Sequence, residues 1–117
     1  MAVSVTYFAR AGGVTVKSVT TPPTGAQASI LAKQSATVVF GVTADAQALF
    51  THNWGLDASA GFYQEPLITV EPISTTTYWP LLTFDRTNTN VVKINKPATD
   101  GPTTVIITLH QPYSVGQ

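Results

Sequence analysis

The side chains that could bind a metal or transfer a proton are few in this chain and widely spaced. His52 and His110 are its two histidines, and it has no cysteine. The carboxylates available to join them in a site are Asp57, Glu65 and Glu71. None of these residues forms the His-x-His or His-x3-His spacing by which two imidazoles converge on one ion. The sequence therefore predicts neither a metal site nor a bound cofactor.

Nucleophilic and acid–base catalysis find no better support. The chain has no Gly-x-Ser-x-Gly motif, and none of its serines stands beside a His or Asp in a triad pattern. Asp57 and Glu65 are the one pair that could be imagined as the two carboxylates of a glycosidase. In a loop, such residues more often cap a helical turn or point into solvent. We therefore expect no enzymatic activity.

The aromatic residues Trp54, Tyr78 and Trp79 allow two interpretations. Aromatic faces can stack on sugar rings, which would make these three residues a glycan platform. A small sandwich also needs large aromatic side chains to fill its core. We favour core packing for Trp54, which follows a strand and would cover one end of the core. The pair Tyr78–Trp79 is the better candidate for exposure, because Pro80 would hold it on a sheet edge.

The run His52-Asn53-Trp54-Gly55 predicts a structural turn. In this interpretation a ring nitrogen of His52 bonds a backbone carbonyl, and Asn53 forms an Asx turn leading into Gly55. His52, Asn53 and Gly55 are therefore expected to shape the chain at a strand end and to take no part in chemistry.

Charge is scarce in this protein. Only 10% of its 117 residues are Asp, Glu, Lys or Arg, whereas an average soluble domain has about 25%. Threonine (19 residues) and valine (13 residues) take their place. So few charges leave little repulsion between neighbouring copies. We expect the outer surface to be largely covered by other protein in the working state.

The balance of charge also limits the partners. The formal net charge is zero, so the chain has no basic footprint for nucleic acid. Arg86, Lys93 and Lys96 form the one local basic cluster, which we interpret as a solvated hairpin. No apolar run approaches the ~20 residues of a membrane span, and the first residues lack the pattern of a signal peptide. We expect a protein that is made in a cytoplasm and either stays there or leaves as part of a particle, with no membrane partner.

Period-two alternation of apolar and polar residues runs through the whole chain. It predicts seven to nine short strands at a spacing near ten residues, separated by Gly, Pro, Asn and Asp turns. Residues 104–110 are the clearest case, with Val105, Ile107 and Leu109 facing inward. The pattern indicates one all-β domain over residues 1–117. It is typical of an antiparallel β-sandwich (jelly-roll or Ig-like) or a small barrel.

The first and last strands could each pair with another protein chain. Residues 2–9 and 104–110 carry no Lys or Glu to discourage pairing with another chain. Each strand is either interior to its own sheet or an edge that pairs with a neighbouring molecule. The N-terminal segment and residues 112–117 are candidate extended arms. The possible interaction surface comprises Val3, Val5, Tyr7, Tyr78, Trp79 and Tyr113.

Three segments of the middle and end of the chain have a distinctive order of residues. Residues 51–56 read Thr-His-Asn-Trp-Gly-Leu, residues 66–72 read Pro-Leu-Ile-Thr-Val-Glu-Pro, and residues 89–92 read Thr-Asn-Val-Val. Over residues 38–113 the chain resembles a small all-β protein type from the structural gene clusters of tailed bacteriophages. In that type a Thr-His-Asn-x-Gly turn leads to a buried strand, and an apolar closing strand is followed by a short tail.

The resemblance implies a component of the virion and no catalytic residues. We expect a capsid decoration (cement) protein on the outer capsid surface. Its partners would be the major capsid protein and copies of itself, as a dimer or trimer on the lattice. Two alternatives remain open. One is a tail- or fibre-associated module that binds a receptor or glycan through Trp54, Tyr78 and Trp79. The other is a head–tail or tail-tube structural protein.

Overall fold

The computed structural model describes residues 3–11, 14–24, 27–28, 31–56, 65–73, 82–86 and 88–111. Eight β-strands lie in this part of the chain. Their bounds are β1 Val3–Ala11, β2 Val14–Val19, β3 Lys33–Phe40, β4 Gln47–Thr51, β5 Leu67–Pro72, β6 Thr83–Asp85, β7 Val91–Asn95 and β8 Thr103–His110. The strands predicted from alternation therefore exist. The helix cap proposed for Asp57 lies outside the described residues.

The strands form two antiparallel sheets. One sheet has five strands in the order β2-β1-β3-β8-β5, and the other has three in the order β4-β7-β6. Every strand pairing is antiparallel. The prediction of an all-β antiparallel sandwich is confirmed.

The order of the strands follows the winding of a jelly roll. β3 lies beside β8 in one sheet, and β4 lies beside β7 in the other. The segment β3–β4 therefore runs antiparallel to the segment β7–β8 through both sheets. β5 and β6 lie on the other side of β8 and β7. Such nested pairing is how a long antiparallel ribbon buries one face when it is rolled into two layers.

The core lies between the two sheets and is built from inward apolar residues of β1 and of β3 to β8. On β3 and β8, every second side chain is buried, because successive residues point to opposite faces. The fully buried aliphatic and aromatic side chains of the facing rows are Val38, Phe40, Phe50, Val92, Ile94, Val105, Ile107 and Leu109. The inward direction predicted for β8 is thus confirmed.

The N-terminal hairpin extends the larger sheet, and the pairings decide between the two interpretations of the first and last strands. β1 is hydrogen-bonded to β2 on one side and to β3 on the other, so it is neither a free edge nor an extended arm. β8 is likewise interior, between β3 and β5. Both strands were candidates for docking onto another chain. Their hydrogen-bonding edges are already occupied within this chain.

The proposed interaction residues of β1 face the core. Tyr7 is buried and meets the ring of Phe50 edge-on, with 5.2 Å between centroids. Its hydroxyl accepts a hydrogen bond from the backbone N–H of Thr51 at 2.9 Å. Val3 and Val5 pack against the same core. The prediction that these three side chains share a face is right. Their assignment to an interaction surface is wrong, because that face points inward.

One end of the sandwich is closed by a buried lysine. The ammonium nitrogen of Lys96 donates to the backbone carbonyls of Thr43 (3.0 Å), Pro97 (2.9 Å) and Asp100 (2.7 Å). It also lies 6.0 Å from the centre of the Phe40 ring. All three ammonium protons are thus used by the loops after β3 and β7. The solvated hairpin predicted for the basic cluster is wrong for Lys96.

The other two members of that cluster behave differently. Arg86 forms an ion pair with Glu65 at 3.1 Å and donates to the carbonyl of Pro66 at 3.1 Å. It therefore ties the start of β5 to the segment after β6. Lys93 is exposed on β7, as predicted. The three basic residues do not converge on a common site.

We predict that Lys96→Met lowers the free energy of unfolding by about 2–4 kcal/mol, because three carbonyl oxygens lose their charged donor. Urea denaturation followed by tryptophan fluorescence measures the loss. Lys93→Met is the matched control and should change stability by less than about 0.5 kcal/mol, since Lys93 is exposed. Equal small losses in the two variants would contradict the structural role of Lys96.

Candidate functional site: the turn at His52 and the outer face of the five-stranded sheet

The turn that follows β4 is built around a buried histidine. His52 is fully buried, and its Nδ1 accepts a hydrogen bond from the backbone N–H of Trp54 at 3.0 Å. The imidazole thus takes the role that an Asn or Asp oxygen plays in an Asx turn. A structural turn was predicted here. The expected bond from the ring to a backbone carbonyl is replaced by this bond from a backbone N–H to the ring.

Asn90 holds the turn from the opposite side. Its carbonyl accepts from the N–H groups of His52 (2.8 Å) and Asn53 (3.1 Å), and its side-chain oxygen accepts from Gly55 at 2.9 Å. Sequence reasoning did not identify Asn90 as this partner. The sequence did contain a signal for this contact. Residues 89–92 and the His52 turn both belong to the segments that resemble phage structural proteins.

Two residues of the turn adopt the left-handed backbone region. Asn53 has φ of 56° and Gly55 has φ of 67°, conformations that Gly and Asn adopt at the lowest cost. The N–H of Gly55 donates to the side-chain oxygen of Asn90, so the expected Asx turn from Asn53 to Gly55 does not form. The side-chain nitrogen of Asn53 donates to the carbonyl of Pro23 at 2.9 Å. Asn53 instead fastens the connector that follows β2.

The His52 ring is unsuited to catalysis. Burial lowers the pKa of His52 to about 4, so the ring is neutral at pH 7. Because Nδ1 accepts a hydrogen bond, the proton of the neutral ring lies on Nε2. No substrate reaches this fully buried side chain. The chemistry of the turn is therefore structural.

Trp54 packs into the core beside this histidine. It is 8% exposed, and its ring lies 5.0 Å from the His52 ring, centre to centre. Core packing of Trp54, the interpretation favoured from sequence, agrees with this burial. The glycan platform loses Trp54, because a buried ring presents no face to a sugar. Tyr78, Trp79 and Tyr113 lie outside the described residues.

The described part of the chain offers no metal centre. It contains no group of three or more His, Cys, Asp or Glu side chains placed to share an ion. None of its helical segments is long and apolar enough to cross a bilayer. Of the candidate carboxylates, Glu65 pairs with Arg86 and Glu71 is exposed on β5.

The outer face of the larger sheet has no ionisable side chain at its centre. β1, β3 and β8 each contribute three outward side chains in matching register. The three rows are Ser4–Val39–Thr104, Thr6–Thr37–Ile106 and Phe8–Ser35–Thr108. We call these nine residues the neutral face. Six carry hydroxyl groups, three are apolar, and none can ionise.

Hydrogen bonds and shielding organise the neutral face. The hydroxyls of Ser35 and Thr108 lie 2.9 Å apart and form a cross-strand hydrogen bond. Ile106 is only 6% exposed, although it points away from the core. Charged or titratable side chains stand at the margin, where Lys33 and His110 are in register and where Glu71 lies on β5. The face is thus neutral at its centre and polar at its border.

The outer face of the three-stranded sheet has the opposite character. Lys93 on β7 stands in register with Asp85 on β6, and the side chain of Gln47 donates to Asn95 at 3.1 Å. Leu49 is the one large apolar side chain in this group. A polar face of this kind is normal for a sheet in contact with water.

The sheet edges are each protected against pairing with another chain. β2 departs from regular register between Ala9 and Arg10 of its partner, which indicates a bulge. β5 ends in Glu71 and Pro72, and β6 is only three residues long. On β4, the N–H of Thr51 donates a hydrogen bond to the hydroxyl of Tyr7. Such features disfavour edge-to-edge association.

No family model, no curated protein and no solved structure matches this chain. The resemblance of residues 38–113 to phage structural proteins therefore stays a prediction.

We predict that acid destabilises the protein through His52. The unfolded ring binds a proton below its ordinary pKa of 6.5, whereas the folded ring does so only near 4. Stability is therefore complete above pH 6.5 and falls as the pH is lowered from 6.5 towards 4. The slope approaches about 1.4 kcal/mol per pH unit, and the total loss is about 3 kcal/mol. Urea denaturation at a series of pH values measures it.

His52→Asn is the informative variant, because the Asn oxygen can still accept the N–H of Trp54. Its stability should be lower overall, because the buried ring is lost, but nearly independent of pH between 6.5 and 5. His110→Asn is the control and should keep the wild-type slope. An unchanged slope in His52→Asn would show that another group causes the acid sensitivity.

Proposed function

We propose that this protein is a non-enzymatic structural component of a tailed-phage virion. It binds the lattice of the major capsid protein as a decoration protein on the outer surface of the head, and it stabilises the assembled shell. Two independent lines support this proposal. One is the resemblance carried by residues 51–56 and 89–92. The other is the neutral face.

The neutral face is the main support. A monomer surrounded by water usually carries charges on its outer sheet faces, as the three-stranded sheet does here with Lys93 and Asp85. Across β1, β3 and β8, the nine outward side chains of the neutral face include no charge. Charged residues are depleted at the centre of protein–protein interfaces, because removing a charge from water is costly. The neutral face has the same character.

The size of the face favours repeated contacts. The three strands of the neutral face, at ~4.8 Å spacing and eight or nine residues long at ~3.3 Å per residue, cover ~400 Å². A standard stable interface buries about 800 Å² on each partner. A single contact through this face would be weak. Many such contacts on a symmetric lattice reinforce one another, which is how a small protein can strengthen a shell.

The protected edges shape the docking mode. Pairing of the first strand with a neighbouring molecule was one of two interpretations of its uncharged sequence, but β1 lies between β2 and β3. We therefore propose that the sandwich lies flat on its partner, sheet face against capsid surface. This mode leaves the hydrogen bonds of the sheet unchanged on binding.

Quantitative mass spectrometry of purified virions tests the proposal. We expect on the order of hundreds of copies per particle, as symmetric coverage of a head requires. Particles made without the protein should lose their genome at a lower temperature while adsorbing normally to cells. A few copies to a few dozen would place the protein in the tail apparatus. No copies in the virion would refute a structural role there.

A further inference from the structure

We propose that Gln34, His52 and Trp54 together hold one internal water molecule at the end of the core where the His52 turn lies. The water accepts hydrogen bonds from the two ring N–H groups and donates one to the side-chain oxygen of the glutamine. Gln34 belongs to β3 of the larger sheet, and His52 follows β4 of the smaller one. The water therefore joins the two sheets by hydrogen bonds.

Three buried side chains at this end of the core each carry a polar atom that has no partner. Gln34 is 6% exposed, His52 is 0% exposed and Trp54 is 8% exposed, so all three are more than nine-tenths buried. Among the described residues, no group forms a hydrogen bond with Oε1 of Gln34, Nε2 of His52 or Nε1 of Trp54. Buried polar atoms of native proteins almost always have a partner, because an unpaired one has lost its hydration without compensation.

The three residues are direct neighbours. The side-chain nitrogen of Gln34 donates to the backbone carbonyl of His52 at 2.8 Å. The backbone N–H of Trp54 donates to Nδ1 of His52 at 3.0 Å, and the two rings lie 5.0 Å apart, centre to centre. All the buried side-chain polar atoms that lack a partner in the described part of the chain belong to this one cluster. Their grouping points to one shared ligand.

These three atoms are poorly placed to satisfy one another. The bond from Gln34 to the carbonyl of His52 fixes the plane of the amide, so Oε1 cannot turn towards a ring without breaking that bond. The other two atoms are both donors. Nδ1 of His52 accepts the N–H of Trp54, which leaves the proton of the neutral ring on Nε2, and an indole nitrogen can only donate. A ligand here must therefore accept from two N–H groups and donate to one oxygen.

This combination of donors and acceptor selects a small neutral ligand. The two ring N–H groups repel a cation, the amide oxygen of Gln34 repels an anion, and either ion would lose its hydration on burial. A water molecule can accept two hydrogen bonds and donate two, and buried waters typically make about three. Water is also small enough for a site among packed core side chains. We therefore commit to a single water molecule as the ligand.

Water–protein NMR of the isotope-labelled protein tests the site. We expect the indole N–H of Trp54 and the imidazole N–H of His52 to show cross peaks to the water resonance with opposite signs in NOE and ROE spectra. Opposite signs identify a water that stays bound while the protein tumbles. Hydrogen exchange and mobile surface water each give the same sign in both spectra, so neither can imitate the expected result.

Gln34→Met removes the acceptor and keeps the length of the side chain. Magnetic relaxation dispersion of water counts the long-lived internal waters of a protein, and it should find one fewer in this variant than in the wild-type protein. Gln47→Met is the matched control and should leave the count unchanged, because Gln47 is exposed and bonds Asn95 on the outer face of the smaller sheet. The NOE and ROE spectra need no variant, which keeps the test decisive if Gln34→Met folds poorly.

Three results would overturn the proposal. If either ring N–H lacks cross peaks of opposite sign, the two rings do not share a bound water. NOEs from a ring N–H to a hydroxyl or amide of the protein, in place of the water peak, would show that a protein group fills the site. An unchanged water count in Gln34→Met would remove Gln34 from the set of ligands. None of these measurements involves a capsid, so the water site can fail while the proposed function stands, and the reverse.

Discussion

The packing of two apolar rows, from β3 and β8, against the rows of β4 and β7 is the interaction from which the other features of this protein follow. Val38, Phe40 and Ile107 on one side and Phe50 and Ile94 on the other are fully buried. Since alternate residues of a strand point to opposite faces, burial of this set sends the hydroxyl-rich set outward. The neutral face is thus the necessary reverse of the core.

Polar groups complete the two ends of this core. At one end, Lys96 gathers carbonyls from two loops around its ammonium group, and at the other, His52 and Asn90 hold the turn after β4. Buried polar groups are costly unless they are hydrogen-bonded, so each of these side chains fixes the loops that serve it. The two ends of the described core are thus held by hydrogen bonds from within the chain.

The His52 turn shows how much of a local structure can be predicted from neighbouring residues in the sequence. Its structural role and the importance of Asn53 and Gly55 follow from residue types alone, because few residues accept a left-handed backbone. The hydrogen-bonding partners of the turn were not predicted from the sequence. Asn90 lies 38 positions away from His52, and Pro23 lies 30 positions from Asn53, so neither contact leaves a trace in the spacing of neighbouring residues.

By itself, the sequence determined the strands, the residues that share a face on each strand, the inward row of β8 and the scarcity of surface charge. Each of these is a property of composition or of period two. Only the tertiary structure decided that β1 and β8 are interior, that Tyr7 belongs to the core, that Lys96 is buried and which face of the larger sheet points away from the core. Alternation tells which side chains lie together but is the same for both faces. The choice between them depends on pairings such as β3 with β8, whose partners lie some 70 residues apart and meet only when the ribbon is rolled.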